Sequence, residues 1–430
     1  MDARFLARFL ASKKALALFL ALDGTLLFLY APSLGLSASE AKLFFNDSGA
    51  LGDLLRFSVS LFGQNNFAIR APFILMHLFN TAMIYIIARR SARPIDAFFS
   101  ALLFALLPGV NSAAILVSLA PFAMGVALIY LWLNDRCEPL AIAILFLAAL
   151  ADNLFIALIF AAICYYLYQK RFLIAALLLI FILVSYALYG FELGGKPKGY
   201  FLDIFGLYGA IFSPLVFGYF IYALYWGIFK RSEKLPLLWF VCATPFALSI
   251  VLSLRQNLPV EDYAPFAAFC APLLIDAFMN SLRIRLPQFR KAHITLASII
   301  IVSLLFILAL SFIHKPLYAL TSGSGKHFAR NYHFAEELAQ ILKERGINAA
   351  ECSSKNLAIR LRFYGIESGD DYVISLVKPP EEKEVDAIEF FVLGVRAAVF
   401  YLSVKQDANK TEESVNIDKA DDEGLERFDL

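Results

Sequence analysis

Apolar positions along this chain gather into long unbroken runs rather than the short alternations of a soluble fold. Eleven such runs fill residues 15 to 313, at approximately 15–34, 71–88, 95–110, 119–134, 139–151, 154–168, 172–190, 204–229, 235–254, 264–282 and 293–313. A hydrocarbon core about 30 Å thick takes roughly 20 helical residues per crossing. Only helices and closed barrels satisfy the backbone there, and these runs are too long for barrel strands. The pattern therefore predicts an α-helical polytopic membrane protein of about 11 transmembrane helices over residues 1–313. The runs at 139–151 and 154–168 are short and share the turn Asp152-Asn153, so they read either as two crossings or as one shallow hairpin.

After residue 313 the pattern changes. Residues 328–345 place Phe334, Leu338, Ile341 and Leu342 at helical spacing and end before Gly346, a helix stop signal. Apolar runs rich in β-branched and aromatic residues follow at 372–377, 388–393 and 397–404 and read as strands. This predicts a small C-terminal α/β domain over 314–404. Residues 405–430 are acidic, lack periodicity and read as a disordered tail. Within it Asp407-Ala408-Asn409-Lys410-Thr411 contains the Asn-x-Thr acceptor pattern, which makes Asn409 a glycosylation candidate. The acidic residue two positions earlier resembles the extended acceptor sequence of bacterial oligosaccharyltransferases.

Charge then orients the spans. The N-terminal segment and the connections at 89–93, 136, 170–171, 230–234 and 283–291 carry 17 Lys and Arg, while the alternate connections carry six: Lys42, Arg56, Arg70, Lys196, Lys198 and Arg255. Positive residues stay on the cytoplasmic side. The N-terminus is therefore expected inside and, after eleven crossings, the α/β domain outside. The basic start, with Arg4, Arg8, Lys13 and Lys14, is followed by no small-residue cleavage site before Pro32, so the first run reads as an uncleaved span. Hydrophobic residues make up 60% of the chain and charged residues 17%, below the soluble norm of about 25%. The five cysteines show no paired spacing, so no disulfide or metal framework is implied. There is no phosphate-binding glycine loop, no zinc-ligand spacing and no basic patch outside the cytoplasmic connections, so no nucleic-acid partner is expected.

Three of the external connections hold the candidate chemistry. Residues 35–70 carry Glu40, Asp47, Asp53, Arg56 and Arg70; residues 191–203 carry Lys196 and Lys198; residues 255–263 carry Arg255, Glu261, Asp262 and Tyr263. Together they read either as a site for an amphipathic substrate at one membrane face or as solvated connections. Asp23, His77 and Asp276 fall inside spans, where ionisable groups are costly and default to functional candidates. A secondary transporter would show repeated halves and broken helices near the midplane; no internal repeat is visible.

The stretch from Ser37 to Arg90 carries a family resemblance. It holds Ser39-Glu40-Ala41, Gly52-Asp53-Leu54-Leu55-Arg56-Phe57, Leu61-Phe62-Gly63 and Asn66-Phe67-Ala68-Ile69-Arg70-Ala71-Pro72, and a late run opens with Tyr263-Ala264-Pro265. These segments resemble motifs of the GT-C membrane glycosyltransferases. The branch they resemble is the bacterial one related to protein O-mannosyltransferases and to aminoarabinose transfer onto lipid A. The resemblance implies an inner-membrane enzyme with a periplasmic domain, taking a sugar from a polyprenyl phosphate and passing it to a lipid, glycan or protein acceptor. It implies that Glu40 is the catalytic carboxylate, that Asp53, Arg70, Lys196, Lys198, Arg255, Glu261 and Tyr263 serve substrate binding, and that cationic groups or a divalent metal ion neutralise the departing phosphate. The family's acidic pair is here Ser39-Glu40, and Val117-Ser118-Leu119-Ala120-Pro121 has no acid where the family places one. A catalytically inactive relative with a scaffold or lipid-binding role is accordingly the alternative.

Overall fold

With no water to serve the backbone in a bilayer, apolar runs close their hydrogen bonds internally as helices. In the computed structural model, which describes residues 9–190, 199–229, 234–255, 260–313, 315–316, 332–377 and 385–404, each run is helical. The first of two units, Met1–His333, contains α1 (Lys13–Tyr30), α2 (Ala38–Asn46), α3 (Ala50–Phe62), α4 (Asn66–Ser91), α5 (Pro94–Leu106), α6 (Pro108–Ile115), α7 (Ala120–Asn134) and α8 (Glu138–Ala151). It continues with α9 (Ile156–Tyr168), α10 (Phe172–Tyr189), α11 (Phe201–Phe212), α12 (Pro214–Phe229), α13 (Leu237–Ser253), α14 (Ala264–Ile284) and α15 (Pro287–Phe312). Helix starts follow local chemistry. Ser12 Oγ accepts from Ala15 N at 3.3 Å and Asn65 Oδ1 from Ala68 N at 2.8 Å. Proline opens α5, α6 and α15, where its missing N–H costs nothing.

Helices α1, α4, α10, α14 and α15 are each long and apolar enough to cross a membrane. Two bent pairs, α5–α6 at 62° and α11–α12 at 103°, and four shorter apolar helices, α7, α8, α9 and α13, complete the set. Each of the eleven apolar runs thus corresponds to one helix or one bent pair, and the chain is an integral membrane protein.

Three features differ from the hydropathy pattern. The run at 204–229 is not one straight helix: it turns through 103° at Ser213, which adopts φ 70°. The bend is filled by aromatic side chains, with Phe212 on Phe220 at 5.2 Å and Tyr208 against Phe246 of α13 at 5.0 Å. Connection 35–70 is not a plain loop but carries α2 and α3. Finally α4 begins at Asn66, so Arg70 lies inside a helix. Small residues allow close helix contact, as expected within membranes. A Cβ on Gly125 of α7 would lie 2.4 Å from Met76 Cε of α4, and one on Gly109 of α6 would lie 2.5 Å from Ile211 Cγ2 of α11.

The second unit, Phe334–Leu430, contains α16 (Ala335–Glu344), β1 (Glu351–Cys352), α17 (Lys355–Phe363), β2 (Tyr372–Ser375), β3 (Val385–Val392) and β4 (Val395–Val404). The sheet runs β1-β2-β4-β3, with β1 parallel to β2 and the other pairs antiparallel. Leu338, Leu342, Leu361, Phe363, Ile374 and Phe400 form its buried interior. The three expected strands are present. The two-residue β1 and the charged α17 carry too little periodicity to be anticipated. Residues 405–430, with Asn409, lie outside the described residues.

Candidate functional site

Connection 35–70 is organised by its own sequence. Ser37 and Glu40 form a capping box at the start of α2: Glu40 N donates to Ser37 Oγ at 3.2 Å and Ser37 N donates to Glu40 Oε2 at 3.0 Å. The cap turns the Glu40 carboxylate inward, where it is 2% exposed. There Oε1 accepts from Val117 N, beyond the end of α6, at 3.1 Å, and Oε2 faces Arg70 Nη2 at 3.6 Å. Arg70 is fully buried; its Nη2 donates to Gly35 O at 2.7 Å and its Nη1 to Asn66 O at 3.2 Å. Its Nε has no hydrogen-bond partner among the described residues. Two opposite charges out of water are tolerable only when paired and hydrogen-bonded, and this pair meets both conditions. It ties connection 35–70 to α4 and to the α6–α7 turn.

The ends of other helices gather with it. Asn66 Nδ2 donates to Pro32 O at 3.3 Å, and Tyr30 Oη donates to Ser311 O of α15 at 2.9 Å. Tyr200 N donates to Ser253 O of α13 at 2.9 Å. These bonds tie the start of α4 and the end of α15 to the end of α1, and connection 191–203 to the end of α13. Elsewhere Arg90 bonds Trp132 O, Arg171 pairs with Glu138, and Arg283 pairs with buried Asp96.

The remaining candidates are placed differently. Asp53 is exposed and paired with Arg56 at 2.8 Å, one helical turn away on α3. Arg255 stands exposed just past α13 and makes no ion pair with Glu40. Glu261 is exposed in the short 3₁₀ turn Val260–Asp262, and Tyr263 beside it is buried. Lys196 and Lys198 lie outside the described residues. The cations expected to share a site with Glu40 were Lys196, Lys198 and Arg255; the cation in contact with it is instead Arg70.

Asp262 is the group that motif reading passed over. Burial first, then the charges of Asp152 and Glu261, push its carboxyl up to about 6. Burial first, then the neighbouring Asp262, pushes the Tyr263 phenol up to about 12. The available signal was weak: Asp262 sits between Glu261 and Tyr263 in a connection that reads as solvated. Two intramembrane residues also acquire a partner. His77 Nε2 of α4 meets Asp23 Oδ2 of α1 at 2.9 Å, 54 residues apart in sequence, so each offsets the other's desolvation cost.

No protein-family model and no curated protein matches the chain. Solved structures do. The crystal structure of ArnT from Cupriavidus metallidurans bound to undecaprenyl phosphate aligns over 94% of this chain and 100% of that chain, with TM-score 0.57 and 12% identity. The same protein in its apo state aligns over 93% and 99%, with TM-score 0.61 and 13% identity. At such identity the likeness is one of fold, and it extends over nearly the whole chain.

Proposed function

We propose that this chain is a membrane glycosyltransferase that takes a sugar from a polyprenyl-phosphate donor and passes it to a lipid, glycan or protein acceptor. The observation that carries the reading is the fold shared with ArnT over nearly its full length, in a protein captured with undecaprenyl phosphate. Transfer needs a carboxylate to take or orient the proton of the acceptor hydroxyl and positive charge opposite the departing phosphate. Glu40 is our candidate for the first role. A carboxylate has about four acceptor directions; Ser37 N and Val117 N occupy two of them, and Arg70 faces the carboxylate as an ion pair. Arg255, with Lys196 and Lys198, is assigned to the phosphate. Arg70 adds its unpartnered Nε, and Tyr263 adds a phenol that remains a donor. Asp53 and Glu261 offer exposed carboxylates to sugar hydroxyls. Among the described residues no group of three His, Cys, Asp or Glu is arranged to hold a metal ion.

A second reading, a polyprenyl-phosphate-binding relative without transferase activity, is favoured by one observation. Ser39 replaces the first acid of the pair, and the surviving Glu40 is tied into a buried ion pair. Reconstituting the full chain with a labelled polyprenyl-phosphate sugar separates the two. Saturable binding with sugar release to an acceptor, reduced about 10²-fold or more per folded molecule by Glu40→Gln, supports the transferase. Binding without turnover supports the second reading, and absence of binding overturns both.

A further inference from the structure

The tip of the β3–β4 hairpin combines exposure, apolarity and backbone strain. Residues Phe390 to Val395 read Phe-Phe-Val-Leu-Gly-Val, six positions without a polar side chain. Val392 pairs with Val395, which leaves Leu393-Gly394 as a two-residue turn. Both turn residues have positive φ, 49° and 79°. Turns of this kind favour Asn-Gly or Gly-Gly, because a branched side chain at positive φ crowds its own backbone. Leucine is therefore an expensive choice for the backbone, and it is 72% exposed, with Phe391 beside it 59% exposed. Asparagine would suit both the turn and water better. An apolar residue retained against both penalties implies an apolar surrounding that contributes more than they cost.

We infer that this tip inserts into the interfacial layer of the lipid bilayer. Two observations select lipid as the occupant. The first unit spans a membrane, and the 21 residues from Ile313 to His333 reach at most about 70 Å even when fully extended, so the hairpin stays within reach of a bilayer. Immediately behind the apolar tip, Arg396 pairs with Glu389 at 3.2 Å with both side chains exposed, which sets a charged pair at headgroup level when the tip is immersed.

The test uses the full chain in lipid nanodiscs, with a photoreactive benzophenone side chain in place of Leu393 or, as a control, of Ala387. Ala387 is exposed on β3, six residues and about 20 Å from the tip. Irradiation should give lipid adducts at position 393 and at least about tenfold fewer at 387, since burial of one large apolar side chain weighs about an order of magnitude in a partition coefficient. Equal yields, cross-links solely to the chain's own helices, or no adduct at 393 would overturn the inference. With the probe in place of Phe391, Leu393→Asn should leave the melting temperature unchanged or raised while cutting the lipid adduct several-fold. An unchanged adduct yield would show that the apolar tip does not drive insertion.

Discussion

Glu40 and Arg70 act as one unit, and the expected response to mutation follows from that. Removing one partner of a buried ion pair strands the other charge and costs about 3–5 kcal/mol. Glu40→Gln keeps the shape but leaves Arg70 uncompensated, so the melting temperature in detergent should fall clearly. Glu40→Gln combined with Arg70→Gln should recover part of the loss, giving a coupling of about 1 kcal/mol or more in a double-mutant cycle. Additive losses would mean that the pair contributes nothing beyond its separate hydrogen bonds. The other residue-scale prediction concerns Asp262. Its folded carboxyl is raised from 3.8 to about 6, so the folded state favours the proton. That contribution to stability is complete below the unfolded value and is lost as pH rises through about 6. Melting curves between pH 4 and 8 should show this decline in wild type, and Asp262→Asn should lack it. Glu40 was legible as a candidate from the short motif Ser39-Glu40-Ala41. Its burial was not, because the groups that bury it come from Gly35, Arg70 and Val117.

At the scale of elements, the bend between α11 and α12 separates what hydropathy sees from what the chain does. Hydropathy averages over a window, and a broken helix is as apolar as a straight one. Ser213 sits at φ 70° and ψ 146°, a region that glycine alone visits cheaply, and its buried Oγ has no hydrogen-bond partner among the described residues. Ser213→Gly should therefore raise stability by about 1–3 kcal/mol, read as a higher melting temperature in detergent. A fall would mean that the hydroxyl, rather than the backbone, holds the bend. Helices α2 and α3 were hidden for a related reason. Their polar faces lower the hydropathy of connection 35–70, although the capping box at Ser37 announces a helix start.

The whole molecule joins a membrane-spanning bundle to an α/β domain, and its orientation rests on the excess of Lys and Arg along one set of connections. Alkaline phosphatase fused after Leu320 should be active, and a cytoplasmic reporter at the same point inactive. The opposite result would invert the faces and move the candidate site to the cytoplasm. The places of the apolar runs and the strands of the C-terminal domain follow from the sequence alone, because each depends on residues within one turn or one strand of each other. The closure of Glu40 on Arg70 and Val117, the meeting of His77 with Asp23 and the bend at Ser213 were decided by tertiary structure. A buried polar group takes as its partner whatever the packing of distant helices delivers, and the spacing between residues 40 and 117, or 23 and 77, carries no periodic signal of that meeting.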